Sequence, residues 1–268
     1  MKMKQLIYQV YTGKKSALYD HCTASVKEYA DKIGADYIVQ KTPILMIKPD
    51  PFTSNRSKES YEKHGGYLPI YEKENAFSYL DTYDQIAIID ADIWIRPTCD
   101  RSIFDTAGID CDFAGVLERD MPCTPQYTGK IANYTRMQYG MAGINHLFDW
   151  KCPKGCGADF YNMGMMVLNK SINKYLKGMT PKEFLTQSKF KPFVDGQGAW
   201  KWSTDQTLLN VWVKDEKMKV NNLSYHWNGL FTGIEMNKIK DVNFVHFFLK
   251  DKLPERGENV EELMKYVN

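Results

Sequence analysis

The segment Gln85–Pro97, QIAIIDADIWIRP, restricts the fold more than any other part of the chain. Ile86 to Ile89 are apolar without alternation, the pattern of a strand covered on both faces inside a parallel sheet. Asp90 and Asp92 follow at i and i+2, so at the strand's end their carboxylates point the same way and can share one cation. The carboxyl ends of strands are also where open α/β sheets bind ligands. The spacing points to a metal site for a phosphorylated substrate. A bare Asp-x-Asp also occurs in solvated turns, so the motif alone leaves both readings open.

With 268 residues there is room for one large α/β domain or two small ones. A net charge of +2 and the lack of any Lys/Arg block argue against a nucleic-acid partner. The opening MKMKQLIYQVYTG reads as a first strand and not as a signal peptide, and no run is long enough for a membrane span. The expected location is cytoplasmic, with peripheral attachment to a membrane left open. In such a compartment the six cysteines are free thiols by default. Cys152-Pro-Lys-Gly-Cys156 has zinc-knuckle spacing, and Cys123 with His146 could complete a structural zinc site.

Lys4 to Tyr11 reads as a strand, and Leu18, Cys22, Val26, Tyr29 or Ala30, and Ile33 recur at helical spacing up to a stop at Gly34. Tyr37-Ile-Val is a second strand. This strand–helix–strand opening is that of a nucleotide-binding α/β fold, without a GxGxxG or Walker loop. Lys41 to Pro69, long and broken by prolines, reads as a lid or a mobile loop. A helix from about Tyr71 to Leu80 follows, with Lys73 near its start; position alone favours a solvated lysine. Glu118 to Ala158 reads as irregular. Phe160 to Asn169 is a strand with Gly164 inside it, the mark of a bulge or a close backbone approach to a ligand, or else of tight packing against a neighbouring helix. Thr180-Pro-Lys-Glu183 and Ser203-Thr-Asp-Gln206 are capping boxes, the second opening a helix and giving Asp205 and Gln206 a sufficient role as cap residues. Before it, Trp200 and Trp202 lie in a loop, where exposed aromatics would suit a sugar. His246 lies in the strand Val242–Leu249, where a lone histidine is usually a hydrogen-bonded core residue. Val260, Leu263, Met264 and Val267 form a closing amphipathic helix.

Taken in order, these segments resemble one family. YEKENAFSYLDTYDQIAIIDADIWI is similar to the segment before and through the Asp-x-Asp of retaining glycosyltransferases of the glycogenin and galactinol synthase type (family 8, GT-A fold). FDTAGIDCDFAGVLE, FYNMGMMVLN, STDQTLLN, Asn228 in YHWNGL and VHFFLKDKLP resemble later segments in the same order, from the first strand to Pro254. Met163 stands where serine is usual, and Lys252-Leu-Pro replaces a Lys-Pro-Trp ending. The helix lysine is shifted by one, since Glu74 falls at the usual spacing.

The resemblance implies one GT-A domain over residues 1–268, with a mostly parallel central sheet flanked by helices. Residues 1–97 would form the nucleotide-sugar half and 98–268 the acceptor side. It implies that Asp90, Asp92 and His246 hold a divalent ion, Mn²⁺ before Mg²⁺ because imidazole joins the oxygens. The ion would bind the diphosphate of a UDP-sugar. Tyr8, Val10, Tyr11 and Thr12 would line the uridine and ribose, with Ala91 beside them. Lys73, and Lys252 or Lys250, would meet the phosphates. Asn162 and Gly164 would shape the acceptor side, while Asp205 and Gln206 would face the reacting carbon. The acceptor stays open between glycan, lipid-linked and protein. Three other readings of the residues remain: an inverting transferase with Asp195 or Asp205 as base, a haloacid-dehalogenase-type Mg²⁺ phosphohydrolase, and a fold remnant that binds nucleotide-sugar or glycan without turnover.

Overall fold

A computed structural model describes residues 3–54, 62, 65–143, 148–149, 157–198, 200 and 205–267. Strands β1 (Gln5–Val10), β2 (Asp36–Gln40), β3 (Gln85–Ile89), β4 (Ile93–Ile95) and β5 (Phe113–Leu117) come first. The short pair β6 (Phe148–Asp149) and β7 (Gly157–Ala158) precedes β8 (Tyr161–Asn169), β9 (Val220–Leu223), β10 (Gly229–Leu230) and β11 (Phe244–His246). The central six-stranded sheet has the order β2-β1-β3-β8-β5-β9. Only β8 runs against its neighbours, so the sheet is mostly parallel, as expected.

Unbroken apolar runs mark its inner strands because both faces are covered. Leu6, Tyr8, Ile86 and Ile88 pack into one core with Phe77, Phe184 and Trp212. Ile7, Ala87 and Ile89, one residue out of phase, pack into the other with Cys22 and Val26 of the helix Ala17–Ile33. The edge strands β2 and β9 carry more exposed residues. Ser16 caps the first helix, and Gly34 ends it at φ 71, in the left-handed region that glycine enters without strain.

Three segments differ from the reading of the sequence. Pro125–Met141 is a helix capped by Thr124, inside the stretch expected to be irregular. Its buried positions Ile131, Thr135, Gln138 and Tyr139 have helical spacing, but two are polar, so no apolar stripe announces them. The helix expected near Tyr71–Leu80 is a 3-10 helix over Pro69–Tyr79. The described part of the long loop after β2 is pinned: the buried Glu72 carboxylate accepts the backbone N–H groups of Ile44, Leu45 and Met46 at 2.7–3.0 Å. Trp200, in turn, is no exposed platform. It packs on Phe193 with ring centroids 4.4 Å apart and donates Nε1–H to the carbonyl of Gln138. Trp202, Ser203, and the Cys152, Cys156 and His146 of the zinc reading lie outside the described residues. Cys22, Cys99 and Cys111 are free thiols. No helix among the described residues is long and apolar enough to cross a membrane.

After β3 the chain turns at Asp90 and enters a second, three-stranded sheet, β10-β11-β4. There β11 pairs antiparallel with β4, with His246 opposite Ile93, and Phe247 N–H donates to the carbonyl of Asp92 at 2.9 Å. This pairing brings a histidine from late in the chain beside the aspartates. The other requirement is met by β8, whose register against β5 shifts between Gly115 and Val116. A Cβ on Gly164, in the irregular stretch of β8, would stand 2.2 Å from Cε1 of His246. The close approach anticipated for this glycine is therefore to a histidine ring. Gly164→Ala is expected to push that ring aside and destabilise the fold by about 1–3 kcal/mol, the range for overpacking. Urea unfolding measures the loss, and an unchanged midpoint would contradict the packing account.

Candidate metal and nucleotide-sugar site

β1 and β3 are parallel neighbours, so Val10 and Asp90 emerge at the same edge of the sheet. An open cleft of about 230 Å³ lies there. Val10, Tyr11 and Thr12 form one wall, Asp90, Ala91 and Asp92 the floor, and Lys73 a further side. Tyr19, Pro69 and Ile70 also line it and escaped the sequence reading. Tyr19 belongs to the apolar-spaced first helix, which reads as core, and nothing in its spacing marks it as a wall residue.

Asp90, Asp92 and His246 each offer one ligand atom, and these atoms lie within 4.8 Å of one another. The imidazole Nε2 stands 3.2 Å from Asp92 Oδ1 and 3.9 Å from Asp90 Oδ2. Its Nδ1 lies 3.0 Å from Asn228 Oδ1. With the Nδ1 proton donated to that amide oxygen, Nε2 keeps a lone pair facing both carboxylates, and a polar partner on the far nitrogen is what metal-binding imidazoles need. Two carboxylate oxygens and one imidazole nitrogen could hold a divalent ion.

Lys73 joins this set to the rest of the molecule. Its ammonium has three donors and three partners: Asp90 Oδ1 at 2.9 Å, Asp205 Oδ2 at 2.8 Å and the carbonyl of Met163 at 3.0 Å. The lysine is 5 % exposed, so the expectation of a solvated side chain is overturned. It is Lys73, not Glu74, that makes these contacts. Burial works against its charge, but Asp205 and Asp90 outweigh burial and hold the proton on. Glu74, fully buried with neither oxygen hydrogen-bonded, is pushed well up by burial and by Asp205, against the pull of Lys73. Burial, together with repulsion from Asp92, raises Asp90 to about 6 despite Lys73. Asp92 is held low: burial would raise it, and His246 more than offsets that. The His246 imidazole is raised by Asp92 and Asp90 against the effect of burial.

Other residues singled out in the sequence fall around this centre. Asp205 begins the helix Asp205–Asp215, whose Leu208 and Leu209 are buried in the core. Gln206 donates to Glu118 Oε1 at 3.0 Å and accepts Met163 N–H at 3.4 Å. Asn162 and Gly164 sit behind His246, Asn162 accepting from Asn228 Nδ2 at 2.9 Å. Tyr8 leaves the wall: it is fully buried and its hydroxyl joins Gln40 and Asn75 inside the core. Strand alternation explains this, since residue 8 faces the core opposite to residue 7. Lys250 bonds Ser16 Oγ at 2.7 Å, pairs with Glu258, and lies 4.9 Å from the Tyr19 ring of the wall. Lys252 is exposed on the following 3-10 turn. Asp195 is occupied elsewhere, by Asp50 N–H, Thr53 Oγ1 and Lys191. Glu118 is a site residue that sequence reading missed, because it looked like the start of an irregular stretch.

Removing one partner of a buried ion pair leaves an uncompensated charge, at a cost of about 3–5 kcal/mol. Lys73→Met is expected to destabilise by that amount, and adding Asp205→Asn to recover part of it. Chemical denaturation of both variants checks this, and losses that simply add would contradict the coupling.

No family model matches the sequence, and no curated protein does. Solved structures do. The chain is similar to a glycosyltransferase involved in the glycosylation of the major capsid of PBCV-1, at 11% identity and TM-score 0.57, over 97% of this chain and 99% of that one. It is similar to the galactosyltransferase LgtC in complex with donor and acceptor sugar analogues, at 13% identity and TM-score 0.51, over 98% and 95%. Mouse xyloside xylosyltransferase 1 matches at 12% identity and TM-score 0.51, over 94% and 100%. At such identities the likeness concerns the fold, and that fold is the GT-A fold of glycosyltransferases.

Proposed function

We propose that the chain is a metal-dependent glycosyltransferase that moves a hexose from a UDP-sugar to a glycan, lipid-linked or protein acceptor, with retention of configuration. The observation that carries this reading is the donor set of Asp90, Asp92 and His246, whose two aspartates line a cleft walled by the end of β1. A nucleotide-sugar has the shape for such a place: a flat base and ribose along Val10, Tyr11, Thr12 and Tyr19, and a diphosphate over the carboxylates. A bound Mn²⁺ would neutralise charge developing on the departing diphosphate, as a Lewis acid.

The remaining work falls to the chain's own groups. Lys250, next to the Tyr19 wall, takes the phosphate-contacting role in place of Lys252 by exchanging Glu258 for the ligand. Asp205 is 1 % exposed and paired with Lys73, which suits a fixed charge that stabilises an oxocarbenium-like state better than it suits a nucleophile. Gln206 is half-buried, held by Glu118 and Met163, and supplies an oriented amide at the reacting face. Positioning of this kind, set before the donor arrives, is the main source of stabilisation at such centres.

UDP release from a panel of UDP-sugars, with and without Mn²⁺ and without acceptor, tests the reading. Mn²⁺-dependent release of UDP from at least one donor is expected, with retained anomeric configuration once an acceptor is found. Asp92→Asn is expected to abolish the release while the melting temperature stays near that of the parent. Full activity in that variant, or phosphate release from simple monoesters in place of UDP release, would overturn the proposal.

A further inference from the structure

His246 can serve a divalent ion through Nε2 only if its ring proton sits on Nδ1. The proton's place depends on which way the Asn228 amide faces, and an asparagine amide can be turned over with no change of shape. Something must therefore choose. Asn228 Nδ2 donates to Asn162 Oδ1 at 2.9 Å, so its Oδ1 faces the ring. The Asn162 amide is set by its own partners. Its Nδ2 donates to Glu118 Oε1 at 2.8 Å, and its Oδ1 accepts the backbone N–H of Gly164 at 3.1 Å. Neither partner can be turned over: one oxygen accepts two amide donors, from Asn162 and Gln206, and the other partner is main chain. The four residues Glu118, Asn162, Asn228 and His246 are each at most 5 % exposed, so water does not offer the alternative arrangement a partner.

We propose that Glu118 is a positioning residue for the metal ligand His246. Acting through Asn162 and Asn228, it fixes the imidazole in the Nδ1–H tautomer and so presents Nε2 as a ready donor. The same oxygen orients Gln206, so one carboxylate aligns the ligand histidine and the amide beside Asp205. Glu118 touches neither the ligand atoms nor the cleft wall. Its effect passes along hydrogen bonds whose direction is dictated by an acceptor at one end.

The inference deepens the metal-dependent reading above, and its test does not depend on sugar transfer. Imidazole ¹⁵N shifts are recorded on metal-free, histidine-labelled protein, at a pH above the point where His246, held up by Asp92 and Asp90, has lost its charge, with His246 identified by loss of its signals in His246→Gln. The Nδ1–H tautomer is expected in the parent. Glu118→Leu is expected to give a mixture of tautomers and about 10-fold weaker Mn²⁺ binding, measured by electron paramagnetic resonance of the free ion. Glu118→Gln, which keeps a carbonyl acceptor in place, should restore both. Should Glu118→Leu fail to fold, Asn162→Leu cuts the same relay one link later and is read in the same way. An Nε2–H tautomer in the parent, or an unmixed Nδ1–H tautomer in the severed variants, would overturn the proposal. A purely structural Glu118 would shift stability alone. Absence of UDP-sugar turnover would remove the enzyme reading and leave the tautomer result standing.

Discussion

The contact on which the site depends is the buried ammonium of Lys73. It ties the carboxylate after β3 to the carbonyl of Met163 on β8 and to the first residue of the helix Asp205–Asp215. Three segments distant in sequence are therefore held at one point by a single buried charge. A buried ion pair is a weak source of net stability, because desolvation costs about as much as attraction returns. What it does supply is definition: the segments have one arrangement in which no buried charge is left alone. Since Asp90 and Asp205 share Lys73, the same ammonium links the candidate cation site to the start of the helix Asp205–Asp215.

A second framework runs behind the first. The pairing of β11 with β4 sets His246 opposite Ile93, the irregular stretch of β8 leaves room for its ring at Gly164, and Asn228 holds the far nitrogen. Both frameworks converge on Met163, whose carbonyl receives Lys73 and whose N–H meets Gln206. The irregular strand thus has a physical reason: regular pairing would turn these main-chain groups toward β5. The relay Glu118, Asn162, Asn228 and His246 is nearly fully buried, and its hydrogen bonds run in series from the Glu118 carboxylate.

How much of this was legible in the sequence depended on whether the signal was local. β1, the first helix, β3 and the capping box at Thr180 follow from apolar period and cap chemistry, which the nearest residues determine. The Asp-x-Asp was legible too, because alternation alone puts both carboxylates on one side. The pairing of Lys73 was not: as a residue in a polar stretch it reads as solvated, and only the return of Asp205 gives it a reason to be buried. Tyr8 shows the opposite failure, since a resemblance carried along a strand does not say which face each residue takes. The helix Pro125–Met141 stayed hidden because Thr135 and Gln138 are buried on their hydrogen bonds and not on apolar area. Glu118 had no local signal at all. Its significance lies in the direction of four hydrogen bonds.

Anomalous diffraction from crystals of the protein grown with Mn²⁺ and UDP addresses the cation site without reference to turnover. The account predicts one strong manganese peak bonded to Asp90, Asp92 and Nε2 of His246, with the diphosphate on its open side and Lys73 still joined to Asp205. Bound UDP with no manganese peak at those three residues, or a peak ligated elsewhere, would contradict it.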